Sequence, residues 1–124
     1  MWPTFLRPVT ARTVPTTSWD VIVAGSVGPT GELLQPLGAM TYDEAVDAFA
    51  EQMEGLKAGG ADVAWIETMS SPDEIRAAAE AAIRVGLPYT VPASFDTAGR
   101  TMMGLAPKDI HGVAEGFAEQ PVGI

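Results

Sequence analysis

From Asp20 onward, short apolar runs alternate with longer stretches in which apolar residues recur every three or four positions. "DVIVAGSVG" is β-branched and closed by glycines, the pattern of a strand buried on both faces. "MTYDEAVDAFAEQMEGLKAGG" predicts a helix with Thr41 as N-cap, Glu44 completing a capping box, and Ala45, Phe49, Met53 and Leu56 on one stripe. Gly59 and Gly60 end it. "ADVAWIE" reads as a second buried strand. "SSPDEIRAAAEAAIRVG" repeats the helix grammar, with Ser71 at N-cap, Pro72 at N1, Glu74 at N3 and Gly86 past the end. "LPYTVPASF" predicts a third strand, although Pro92 inside it cannot donate a ladder hydrogen bond and is expected to interrupt pairing. "APKDIHGVAEGFAEQ" predicts a weaker helix, because Gly112 and Gly116 each cost about 1 kcal/mol against alanine in a helix interior. "PVGI" reads as the opening of a fourth strand.

This alternation predicts an α/β fold with a parallel sheet and right-handed crossovers. Three or so strands do not close a barrel, so the pattern fits either a small open doubly wound sheet or a partial (β/α)8 barrel of about three βα units. Residues 1–19, with Pro3, Pro8 and Pro15 among threonines, carry neither periodicity and read as an irregular leader; residues 20–124 read as the folded part.

Composition narrows the function classes. The chain has 124 residues, with 7 Lys plus Arg against 16 Asp plus Glu, a net charge of −9. Such a balance argues against nucleic acid or an anionic membrane surface as partner. There is no cysteine, which removes disulfides, thiolate metal ligands and a cysteine nucleophile from this chain. His111 is the single histidine. No apolar run approaches the roughly 18 residues of a membrane span, and the first residues lack the core of a signal peptide, so a soluble cytoplasmic protein is expected.

In parallel α/β folds, ligands gather at the carboxyl ends of the strands. Three such ends are legible: Ser26 and Thr30 top the first, Glu67 the second, Ser94 and Asp96 the third. Glu67 either holds an ammonium group or acts as a general base, or it bonds the N–H groups opening the next helix. Asp96 in "DTAGR" reads as a turn residue in an Asx role. Glycines 25, 28 and 31 match neither the dinucleotide fingerprint nor the phosphate loop. Lys57 and Lys108 fall on or beside helices, which disfavours Schiff-base chemistry. His111 is expected to face solvent, Arg100 to form a surface ion pair, and Met102 and Met103 to pack a loop. A small hydrolase or lyase built on Glu67 and Asp96 lacks an electrophile or activated nucleophile.

Three blocks, "VAGSVGPTGELLQPLGAMTYDEA", "GGADVAWIETMSSPDEIRAAAEAA" and "SFDTAGRTMMG", together resemble consecutive strand-end blocks of the homocysteine S-methyltransferase family. That family includes betaine-homocysteine methyltransferase and the homocysteine module of cobalamin-dependent methionine synthase. The resemblance runs from about Asp20 to the C-terminus and implies strands three to five of an eight-stranded barrel, with "PVGI" entering the sixth. It implies methyl transfer to the sulfur of homocysteine, giving methionine, at a zinc ion held by cysteines of later strands that keeps the sulfur as a thiolate. It also assigns Glu67, in "WIETMS", to the substrate's amino group; Ser26 and Ser94, by their position at the neighbouring strand ends, are the other candidate substrate contacts. The zinc-ligand cysteines and the first two strands are missing, so the chain is expected to be a fragment that binds homocysteine weakly or not at all and does not turn over alone. Exposed strand edges predict self-association; the alternative is a non-catalytic domain that pairs with another chain through its open sheet edge. The methyl donor is not legible in these residues.

Overall fold

The computed structural model describes residues 21–124, so the 1–19 leader lies outside the described residues. The elements alternate as the hydrophobic pattern predicts: β1 (Ala24–Val27), α1 (Tyr42–Ala58), β2 (Val63–Ile66), α2 (Pro72–Val85), β3 (Tyr89–Thr90) and α3 (Pro107–Glu115). The three strands form one parallel sheet in the order β1-β2-β3. Ser26 stands beside Trp65, Val27 beside Ile66, and Trp65 beside Thr90.

β3 is only two residues long. It stops before Pro92, as expected of a residue with no N–H to offer the ladder. Beyond it, Val91 N–H donates to Gly123 O at 3.0 Å and Val122 N–H to Tyr89 O at 2.8 Å, so "PVGI" lies against β3 in a parallel bridge, the start of the expected fourth strand.

The two faces of the sheet differ. Val27, Ala64, Ile66, Tyr89 and Val91 are buried against the helices and share one core with Phe49, Met53, Ile75 and Ile110. Gly25 belongs to this face, where a Cβ would come within 2.8 Å of Leu56 Cδ1; α1 lies that close to β1. Tyr89 packs its ring against Phe117 of the segment after α3, centroids 6.2 Å apart, and donates its hydroxyl to Glu119 O. On the opposite face Ser26 is exposed and Trp65 is 41 % exposed, although parallel sheets are ordinarily covered on both sides.

The helix ends follow local chemistry. Thr41 caps α1: its Oγ1 accepts from Glu44 N–H, while the Glu44 carboxylate accepts from Thr41 N–H at 2.8 Å, a complete capping box. Those hydrogen bonds from Thr41 hold the Glu44 carboxyl below its ordinary pKa. α2 ends at Gly86 in the left-handed conformation, φ 70°, which glycine adopts without a Cβ clash. The helix starts where expected, at Pro72, but without a capping box. Ser71 occupies the N-cap position but makes no side-chain cap bond, and Glu74 does not turn back to it. The Glu74 carboxylate goes instead to Thr30, across the strand ends.

Candidate functional site

The carboxyl ends of β1 and β2 meet directly. Glu67 N–H donates to Val27 O at 2.9 Å, continuing the ladder one step past the last paired residues. Side chains alternate along a strand, so Glu67 points to the same side as Trp65, away from the helices. There it meets Ser26: Ser26 Oγ donates to Glu67 Oε1 at 2.5 Å. Glu67 is half-buried, and its carboxylate does not cap α2. One of its oxygens is thus oriented by a serine hydroxyl on the neighbouring strand, leaving acceptor capacity for a donor approaching the open face.

The next residue, Thr68, has φ 63°. A β-branched residue in the left-handed region is strained by about 1–3 kcal/mol, and such strain concentrates at functional sites. Here it reverses the chain just past Glu67 so that Met69 enters the core while Glu67 stays outside it. Sequence reasoning missed Thr68, since nothing in "ETMS" signals a positive φ.

The third strand end stands apart. Ser94 is exposed on the segment after β3 and is not hydrogen-bonded to Ser26 or Glu67. Asp96 is the turn residue expected, with its Oδ1 accepting from Ala98 N–H at 2.8 Å and Arg100 N–H at 3.0 Å. Arg100 binds the Gly104 carbonyl rather than a carboxylate. Met102 does not pack the loop: it is 89 % exposed, because the turn built on Asp96 and Thr101 carries it outward. Met103, also exposed, borders a cavity of about 240 Å³ between the β1–α1 and β2–α2 loops, with Leu33, Leu34, Ser71 and Glu74 on its other walls. A larger groove of about 500 Å³ runs between α2 and α3, lined by Tyr42, Glu80, Ile83 and Phe117, and includes none of the strand-end residues.

Thr90 Oγ1, beside Trp65 in register, is buried with no hydrogen-bond partner, the one such side-chain atom among the described residues. Ser26, Trp65 and Thr90 therefore form one row across the sheet, polar at both ends and aromatic in the middle.

A zinc site does not fit this chain. Zinc that binds a thiol substrate is held by soft thiolate and imidazole donors. The sequence has no cysteine, and among the described residues no three His, Asp or Glu side chains converge as a metal-binding group. His111 is exposed on α3, 3.5 Å from Glu115. Among the described residues no helix is long and apolar enough to cross a membrane.

The family model described as homocysteine S-methyltransferase matches residues 7–124, reaching into the segment read as a leader. Among solved structures, the homocysteine methyltransferase MmuM of Escherichia coli, in its apo form, superposes with a TM-score of 0.67 at 25 % sequence identity, over 84 % of this chain. The chain spans 38 % of the length of that protein. The three parallel βα units match part of its TIM-barrel-like fold. With its sequence matched almost end to end and its sheet superposed on a member's, the chain belongs to the homocysteine S-methyltransferase family.

Proposed function

We propose that this chain carries the amino-group subsite of a homocysteine S-methyltransferase, a cytoplasmic, zinc-dependent enzyme of methionine biosynthesis. Glu67 accepts from the substrate ammonium, Ser26 fixes the carboxylate that does so, and Ser94 borders the third strand end. The reading is carried by one observation: the strand-end Glu67, on the uncovered face, takes a hydrogen bond from Ser26 and caps no helix. A carboxylate–ammonium contact is charge-assisted and gains strength as the cleft around it excludes water.

The sulfur chemistry lies outside what this chain supplies. In the family a zinc ion lowers the thiol pKa so that a thiolate is present at neutral pH. With no cysteine to hold it, the chain alone is expected to form no methionine from homocysteine, whatever the donor.

Nuclear magnetic resonance titration of the full chain tests the subsite. Binding is expected to be weak rather than absent: L-homocysteine at millimolar concentration should shift the signals of Ser26 and Glu67, and 4-mercaptobutyrate, which keeps the thiol and carboxylate but lacks the amino group, should not. Glu67→Gln should abolish the difference. Equal responses to the two ligands, or no response to either, would overturn the assignment.

A second reading has its own support. Val21 and Ile22 flank β1 and Val122 and Ile124 flank the other side of the sheet, all exposed, so the chain also has the means to pair through its edges with another polypeptide.

A further inference from the structure

We infer that Glu74 is a positioning residue, holding the glycine-rich loop of residues 28–31 in the shape that keeps Ser26 turned toward Glu67. The inference rests on the reading of Ser26 and Glu67 as the ammonium subsite.

Position N3 of a helix ordinarily serves the cap three residues back. Glu74 abandons that service. It is 5 % exposed, and its Oε1 accepts two hydrogen bonds from a single distant residue, Thr30 N–H at 2.8 Å and Thr30 Oγ1 at 2.9 Å. The same Thr30 hydroxyl accepts from Glu32 N–H at 3.2 Å, so the carboxylate also fixes the turn that follows. A buried carboxylate loses hydration, and one that spends both bonds on a loop does so for geometry rather than for net stability.

The consequence reaches Ser26 through the backbone. Val27 is tied to Glu67 by a ladder bond, and Thr30 is tied to Glu74 by two more. Residues 27–30 are thereby fastened at both ends to the segment 67–74, and the Ser26–Glu67 contact sits at the first fastening. Released from Glu74, residues 28–31 lose their tie to α2, and the strand end keeps only the Val27 bond to Glu67 and the Gln52 Nε2 bond to Ser26 O at 3.2 Å. Gly28 and Gly31, the latter at φ 85°, then leave the loop free to swing.

Three variants of the full chain, Glu74→Ala, Glu74→Gln and Thr30→Val, test this with two readouts: amide hydrogen exchange and the homocysteine-induced shifts of Ser26 and Glu67. In Glu74→Ala, exchange at the Thr30 amide should rise about tenfold or more, as loss of a bond to a charged acceptor implies, while Ala78–Ala82 in α2 keep their protection. The homocysteine shifts should shrink with it. Glu74→Gln, whose amide oxygen accepts both bonds, should restore both readouts. Should Glu74→Ala fail to fold, Thr30→Val, which keeps the N–H and removes the hydroxyl, should loosen the loop and weaken the response to a smaller degree. Unchanged exchange at Thr30, or a loosened loop with an undiminished homocysteine response, would overturn the positioning role alone. A wild-type chain without any ammonium-dependent response would overturn the subsite, and the role assigned to Glu74 with it.

Discussion

Thr68 is the residue on which stability and the site pull apart. Its left-handed backbone is set by the turn from Glu67 into the core at Met69, and a β-branched side chain resists that conformation. Thr68→Gly removes the clash at the cost of extra freedom in the unfolded chain, so a net gain of about 0.5–1 kcal/mol is expected, read as a higher urea midpoint with unchanged slope. A loss of stability would mean that the hydroxyl or methyl group makes a contact worth more than the strain. Tyr42 gives a second test at this scale. Burial, with the Glu80 carboxylate accepting its hydroxyl at 2.8 Å, pushes the phenol from 10.0 up to about 12. Burial raises Tyr89 as well. A raised phenol pKa favours the protonated form in the fold, so its contribution is present below pH 10 and is lost as pH rises through the folded value near 12. Denaturation midpoints should therefore fall between pH 10 and 12, and Tyr42→Phe should flatten part of that fall.

At the scale of elements, the glycines separate packing from propensity. Gly112 lies in α3 with no heavy atom within 4 Å of the place a Cβ would take, so Gly112→Ala should add up to about 1 kcal/mol. Gly25 is the contrary case: a methyl group there meets the Leu56 side chain at 2.8 Å and 2.9 Å, and Gly25→Ala should destabilise by about 1 kcal/mol as that half-buried side chain is displaced. Thermal unfolding of the two variants checks both signs. The helices and strands were legible because each is specified locally, by apolar period, by Thr41 with Glu44, and by Gly86. The short β3 followed from Pro92 for the same reason. Local rules placed the start of α2 correctly, with Ser71 at N-cap and Pro72 at N1, but not the partner of Glu74, whose carboxylate goes to Thr30, 44 residues away, rather than to the cap. No pattern within "SSPDE" encodes that partner.

For the molecule as a whole, exposed apolar side chains on and beside the sheet decide behaviour. Trp65 on the sheet and Val21, Ile22, Val122 and Ile124 beside the edges are exposed in a fold whose strands are ordinarily covered on both sides. Concentration-dependent association is expected, visible in sedimentation velocity as a shift to larger species and reduced by Trp65→Ser; a strictly monomeric chain at high concentration would count against it. The candidate site was legible to the extent that strand ends were: Ser26 and Glu67 face each other because parallel register sets β1 beside β2. Ser94 was placed by the same logic but stays apart from them, since beyond Pro92 the chain no longer follows the ladder.

The opposite end of the sheet has its own clasp. Asp62 takes the Val23 N–H on its carboxylate at 2.8 Å, and Val23 O in turn accepts from the Asp62 and Val63 amides. β1 and β2 are therefore pinned at both poles, by Asp62 where the strands begin and by Thr30 with Glu74 where they finish. A random library of this gene would be expected to sort by latitude. Lesions near Asp62 would lower the yield of folded protein while sparing ligand recognition, whereas lesions near Thr30 would lower both, because they leave the buried Glu74 carboxylate without its donors.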